Sequence, residues 1–139
     1  MCTGNTCRSL MAHFWTKHLV LTDPRFKGLE VSSCGTRPWI QVEPNSVEAL
    51  RRAGCSTEVL EELDTYLPQP IVPEILADCD RVICATSEHL REVKRRVPAV
   101  ADKCELLLGH CDLFDPYGED MDVYDKCLKE IILAVDNLF

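Results

Sequence analysis

Cys2-Thr3-Gly4-Asn5-Thr6-Cys7-Arg8-Ser9 runs without a break into Leu10, Met11, Phe14, Trp15 and Leu19, apolar residues that recur at helical spacing. Residues 8–21 therefore read as an amphipathic helix entered directly from a loop, and Thr22-Asp23-Pro24 ends it. Gly4 and Asn5 both tolerate left-handed backbone, which lets successive N–H groups curl inward as an anion nest. The positive end of the helix dipole points at the same spot, and Arg8 adds a planar fork that grips two oxygens. The form of Cys2 that such surroundings stabilise is the thiolate. Thr3, Gly4, Asn5, Thr6, Cys7 and Arg8 are thus expected to hold a phosphate, with Cys2 aimed at its phosphorus. In a chain with nine cysteines, Cys-x5-Arg alone is a weak signal, and the contents of the loop make it specific.

Outward from that loop, strands alternate with helices. Residues 29–33 read as a short strand, followed by a loop at Gly35 and Pro38. Asn45 or Ser46 opens a helix that stops at Gly54, and Ser56 or Thr57 caps the next, which carries Val59, Leu60 and Leu63. Pro68 and Pro70 force an extended stretch, and Pro73 begins a brief helix to Cys79. Residues 81–85 form a compact apolar run of the kind a parallel sheet buries on both faces. Thr86 caps a helix ending before Pro98, residues 104–108 form a further strand, and a last helix runs from Asp120 to Leu138. The alternation implies an α/β fold, a three-layer sandwich around a short central parallel sheet, formed by one domain over residues 1–139.

Composition narrows the function. The chain has 139 residues, 46% hydrophobic and 27% charged, in the range of globular proteins. Its formal net charge of −8 opposes phosphate backbones, so nucleic acid is not an expected partner. The basic run Lys94-Arg95-Arg96 reads as the solvated end of a helix. No apolar stretch approaches the roughly 18 residues of a membrane span, and the N-terminus has no signal-peptide pattern. Nine cysteines, an odd number with no Cys-x-x-Cys pair, point to buried thiols in the cytoplasm rather than to disulfides or zinc. His13 and His18 do not share a helix face for a metal and read as surface or cation-capping residues, so neither metal nor cofactor is expected.

A displaced leaving group needs a proton. Asp115-Pro116-Tyr117-Gly118 lies in the loop after the last strand, at the carboxyl end of the sheet where the phosphate loop also lies. Asp115 is therefore a candidate general acid, with Tyr117 able to wall the pocket.

With both motifs in hand, the chain resembles the low-molecular-weight protein tyrosine phosphatases. Ser32-Ser33-Cys34-Gly35-Thr36 with Trp39 is similar to the family's strand and variable loop, and residues 82–89 to its third strand and turn. The resemblance implies that Cys2 is a nucleophile forming a phosphocysteine on a phosphorylated protein substrate. It implies that Arg8 binds the phosphoryl oxygens, and that Asp115 first protonates the leaving group and then activates water. It further implies that Asn5 holds the loop shape with Ser33 as its partner, that Ser9 stabilises the Cys2 thiolate, and that Trp39 and Tyr117 flank the substrate. Cys7 matches a vicinal thiol able to trap oxidised Cys2 as a disulfide. Thr6, together with Gly118, resembles the bacterial protein arginine phosphatases, where an aliphatic residue in place of Thr6 goes with phosphotyrosine.

The resemblance has departures. The family places an apolar strand ahead of the nucleophile, where here only Met1 precedes Cys2, so a first strand is expected to be absent and its neighbours left unpaired. Tyr66 stands where the family has histidine. Two other functions compete. One is an arsenate reductase of the same fold, whose thiol relay would have to use Cys84 and then Cys104. The other is a pseudophosphatase that binds phosphoproteins without turnover.

Overall fold

The structure, a computed structural model, describes residues 1–139. Six α-helices and two short strands follow one another: α1 (Arg8–Thr22), α2 (Pro44–Arg52), α3 (Thr57–Asp64), α4 (Pro73–Asp78), β1 (Val82–Cys84), α5 (Ser87–Arg96), β2 (Cys104–Leu106) and α6 (Met121–Leu138). Local chemistry sets the boundaries. Asp120 accepts from the Val123 N–H at the start of α6, and Thr86 accepts from the His89 N–H at the start of α5. Proline occupies the first turn of α2 and α4, where a missing N–H costs nothing. Lys94, Arg95 and Arg96 form the last turn of α5, opposite the negative end of its dipole, with Arg95 and Arg96 paired to Glu92. Ser56 precedes α3, but its hydroxyl makes no cap bond and is buried without a partner. Two 3₁₀ turns, Pro24–Phe26 and Pro98–Lys103, were not apparent in the sequence pattern.

β1 and β2 pair in parallel, with Val82 opposite Cys104 and Cys84 opposite Leu106. On the free side of β1 lies Met1: its amino group donates to the Ile83 carbonyl at 2.7 Å, and the Ala85 N–H donates to the Met1 carbonyl at 2.9 Å. Parallel bridges then join Cys2 to Gly35 and Gly35 to Pro70. The expected strand at residues 29–33 does not form. A strand exists through its partner, and pairing beside Met1 and Cys2 is confined to Cys34, Gly35 and Thr36, so residues 30–33 make no backbone–backbone hydrogen bond. The last strand is also shorter than expected, because the chain turns after Leu106 with the Gly109 N–H on its carbonyl.

Successive residues of β1 serve opposite faces. Val82 and Cys84 pack with Leu76, Val93, Val97 and Val100 beneath α4 and α5. Ile83 and Ala85 join the larger core, where Leu10, Met11, Phe14, Leu50, Tyr124 and Ile131 pack α1, α2, α3 and α6 together. The result is a helical layer on each side of a short parallel sheet. The same alternation sends Met1 and Cys34 to the smaller core and Cys2 to the larger, towards the first turn of α1. No helix is long and apolar enough to cross a membrane.

Candidate active site

Residues 2–8 turn between the edge of β1 and α1 with Asn5 in the left-handed region at φ 57°. Asn5 is wholly buried, and four hydrogen bonds hold its amide. Its Oδ1 accepts from the Gln69 backbone N–H at 2.9 Å and from the Tyr66 hydroxyl at 2.6 Å. A backbone N–H can only donate, which fixes the orientation of the amide. Nδ2 therefore spends its two protons on Ser9 Oγ at 2.8 Å and Ser33 Oγ at 3.0 Å. Because Ser9 accepts there, its own proton is free for Cys2 Sγ, 3.0 Å away. The direction of that last bond suits a sulfur that carries negative charge. Cys2 is itself buried.

The rest of the loop is pinned from every side. Thr3 Oγ1 lies 2.8 Å from His89 Nε2, whose other ring nitrogen lies 2.9 Å from Thr86 Oγ1. Burial, reinforced by the charge of Arg8, pushes His89 down to about 4, so the imidazole is neutral and joins one donor to one acceptor. Ser46 Oγ donates to the Thr6 carbonyl at 2.8 Å. The N–H groups of Thr36, Arg37 and Trp39 donate to the carbonyls of Cys2, Thr3 and Gly4. Carbonyls held outward in this way leave the loop's own N–H groups for a ligand. The first turn of α1 adds to them, since it has no side-chain cap and no acidic residue.

Arg8 is 6% exposed; its Nη1 donates to the Leu113 carbonyl at 3.2 Å, and its Nη2 lies 3.3 Å from Asp115 Oδ2. Its Nε–H is buried with no partner at all. An unpaired buried donor on a charged group costs on the order of 1–3 kcal/mol, and an oxyanion in the loop would satisfy it. Asp115 is half exposed, with its other oxygen accepting from the Tyr117 N–H at 3.1 Å. The structure thus pairs Asp115 with Arg8, which shares its short loop with Cys2. Ser9 reaches the Cys2 sulfur, Ser33 reaches the Asn5 amide, and Thr6 is buried in the loop. Trp39 sits against Gly4 through its backbone N–H and is 60% exposed, and Tyr117 is 63% exposed, so both rings face solvent.

Cys7 is buried, 3.4 Å from the Tyr124 hydroxyl and 3.5 Å from Thr6 Oγ1, and burial pushes its thiol up. The two thiols of the loop therefore differ in their partners: Cys2 Sγ accepts from the Ser9 hydroxyl, whereas Cys7 lies beside Tyr124 and Thr6. Several site residues escaped the sequence. His13, expected on the surface, is buried, with Nδ1 2.8 Å from Ser33 Oγ, and burial lowers it to about 4. His18 is half-buried and accepts from the Ser56 N–H at 3.1 Å. Tyr66, His89, Ser46 and Gln69 also act across the fold. Only Tyr66 carried a signal beforehand, as a departure from a family pattern.

The model of the family "Low molecular weight phosphotyrosine protein phosphatase" matches residues 1–139. A protein-arginine-phosphatase of Bacillus subtilis is 26% identical over 136 residues, covering 94% of this chain and 86% of its own. An arsenate reductase of Staphylococcus xylosus is 26% identical over 142 residues, covering 99% and 91%. Among solved structures, a low molecular weight protein tyrosine phosphatase from T. tengcongensis is 29% identical with a TM-score of 0.83, covering 99% of this chain and 92% of its own.

Proposed function

The chain belongs to the low molecular weight phosphotyrosine protein phosphatase family and is a phosphatase of that type; from that premise we propose that it dephosphorylates proteins through a phosphocysteine on Cys2, with phosphoarginine as the preferred substrate. The observation that carries the mechanism is the buried, unpartnered Arg8 Nε–H in the same short loop as a buried sulfur that accepts from Ser9. The phosphoryl oxygens take the loop N–H groups and the Arg8 fork. The Cys2 sulfur attacks phosphorus as the bond to the leaving nitrogen or oxygen breaks, and protonated Asp115 gives that atom its proton. The Asp115 carboxylate then takes a proton from water, whose oxygen displaces sulfur and releases inorganic phosphate. The whole chain acts as one domain in this reading. Its nine unbridged thiols suit the cytoplasm.

Thr6 supports the substrate. It is buried in the loop, with its hydroxyl 3.3 Å from where a side chain on Gly4 would begin. A β-branched hydroxyl there narrows the pocket and gives a guanidinium a polar contact that a phenol does not need. The arsenate reductase reading has relatives of equal identity. It would need a relay of further thiols, and Cys84 is fully buried within β1.

One peptide carrying phosphoarginine or phosphotyrosine tests these readings, with wild type and Cys2→Ser compared by phosphate release and intact mass. Cys2-dependent turnover with kcat/KM at least tenfold higher on phosphoarginine is the expected result, and Thr6→Ile should move the preference towards phosphotyrosine. Equal rates on the two peptides would overturn the substrate assignment. Binding without turnover would make the chain a phosphoprotein-binding module, and arsenate reduction that consumes thiols would make it a reductase.

A further inference from the structure

His13 lies on the second turn of α1, outside the phosphate loop, yet it closes the hydrogen-bond chain that ends on the Cys2 sulfur. The protons of that chain can be counted. Asn5 Nδ2 donates to Ser33 Oγ, and the single proton of Tyr66 goes to Asn5 Oδ1 at 2.6 Å. Towards Ser33, 3.2 Å away, Tyr66 can therefore only accept. The one proton of Ser33 has two destinations, His13 Nδ1 at 2.8 Å or Tyr66 Oη at 3.2 Å. The shorter contact takes it, provided that Nδ1 is bare.

We propose that His13 is a positioning residue of the phosphate loop: its unprotonated Nδ1 takes the Ser33 proton and so fixes Ser33 as acceptor for the Asn5 amide, whose other proton keeps Ser9 aimed at the Cys2 sulfur. This rests on the reading of Cys2 as nucleophile. His13 is buried between the Phe14 ring, at 4.4 Å between centroids, and the edge of Tyr66, at 5.6 Å. Those rings hold the imidazole plane, and its burial beside Lys17 keeps it neutral. With the imidazole gone, the Ser33 hydroxyl turns to Tyr66. Its lone pairs turn with it away from the Asn5 amide, whose second proton is then held in poorer alignment.

Steady-state kinetics on an aryl phosphate test this in the full chain. His13→Leu is expected to lower kcat about tenfold and change KM less than twofold. His13→Asn, whose side-chain oxygen can stand in for Nδ1, should recover kcat to within threefold of wild type. In a Ser33→Ala background, His13→Leu should cost less than twofold more, because its effect passes through Ser33. Undiminished kcat in folded His13→Leu, or full additivity with Ser33→Ala, would overturn the proposal. Should His13→Leu not fold, nitrogen NMR of wild type decides: Nδ1 is expected bare and Nε2 protonated, and the opposite tautomer sinks the idea. Absence of any wild-type turnover would instead count against the nucleophile reading, with the tautomer still to be read.

Discussion

Gly35→Ala is the sharpest test of how the sheet shapes the loop. Gly35 bridges Cys2 on one side and Pro70 on the other, so it lies directly against the phosphate loop. A Cβ at this position would stand 2.3 Å from the Thr3 carbonyl oxygen, 3.0 Å from the Asn5 nitrogen and 3.1 Å from the Gly4 carbonyl carbon. All three are backbone atoms, so no side chain can swing away. An ordinary carbon–oxygen contact needs about 3.3 Å, so loop and segment must part by roughly 1 Å. That movement stretches the bonds from Thr36, Arg37 and Trp39 to the loop carbonyls. Overpacking of this kind costs about 1–3 kcal/mol, which lowers Tm by roughly 3–10 °C in a chain of this length. The loss of activity should be larger, because a displacement of about 1 Å in a reacting geometry costs about 100-fold. Aryl phosphate hydrolysis and thermal denaturation would be measured on the same preparation. Gly28→Ala is the control: Gly28 has a φ of +82° with nothing within 4 Å, so alanine there strains the backbone by about 1–2 kcal/mol and should leave kcat/KM unchanged. Folded Gly35→Ala with kcat/KM within threefold of wild type would refute the close approach as the reason for glycine.

Asp115→Asn removes the proposed proton donor and keeps the shape, so kcat should fall by about 100- to 10,000-fold, with inorganic phosphate still binding; an unchanged kcat would remove Asp115 from the reaction. Stability should decline on acidification from pH 7. His13 and His89 are each held at about 4 against an ordinary 6.5, so below 6.5 the unfolded chain takes up protons that the folded chain refuses. Stability present above pH 6.5 is therefore lost down to about pH 4, by roughly 3 kcal/mol for each histidine as an upper bound. Urea unfolding midpoints at several pH values would show it, and a flat profile between pH 7 and 4.5 would contradict the burial of both imidazoles.

The site motifs were legible because they are local. Six residues separate Cys2 from Ser9, and the glycine, the asparagine and the helix start that shape the loop all lie within that span. Asp115 was legible for a related reason: the loops after parallel strands gather at one end of the sheet. Helix starts marked by Thr86 and Asp120 could be read because a cap bonds within its own turn. The strand at residues 29–33 misled because apolar alternation is a local property and strand pairing is not.

By itself, then, the sequence determined the α/β class and marked the candidate phosphate loop with its proposed nucleophile, cation and acid, since each depends on residues that are near neighbours or on the order of elements. Tertiary structure alone decided how the loop is held. Ser33 comes from one segment and Tyr66 and Gln69 from another to two sides of one amide, His13 backs Ser33 from α1, and His89 reaches Thr3 from another helix. A histidine on a helix reads as exposed until the fold places a serine 2.8 Å from its nitrogen. The side chain carries no mark of its partner, because a hydrogen bond is specified by position in space and leaves no period in the chain.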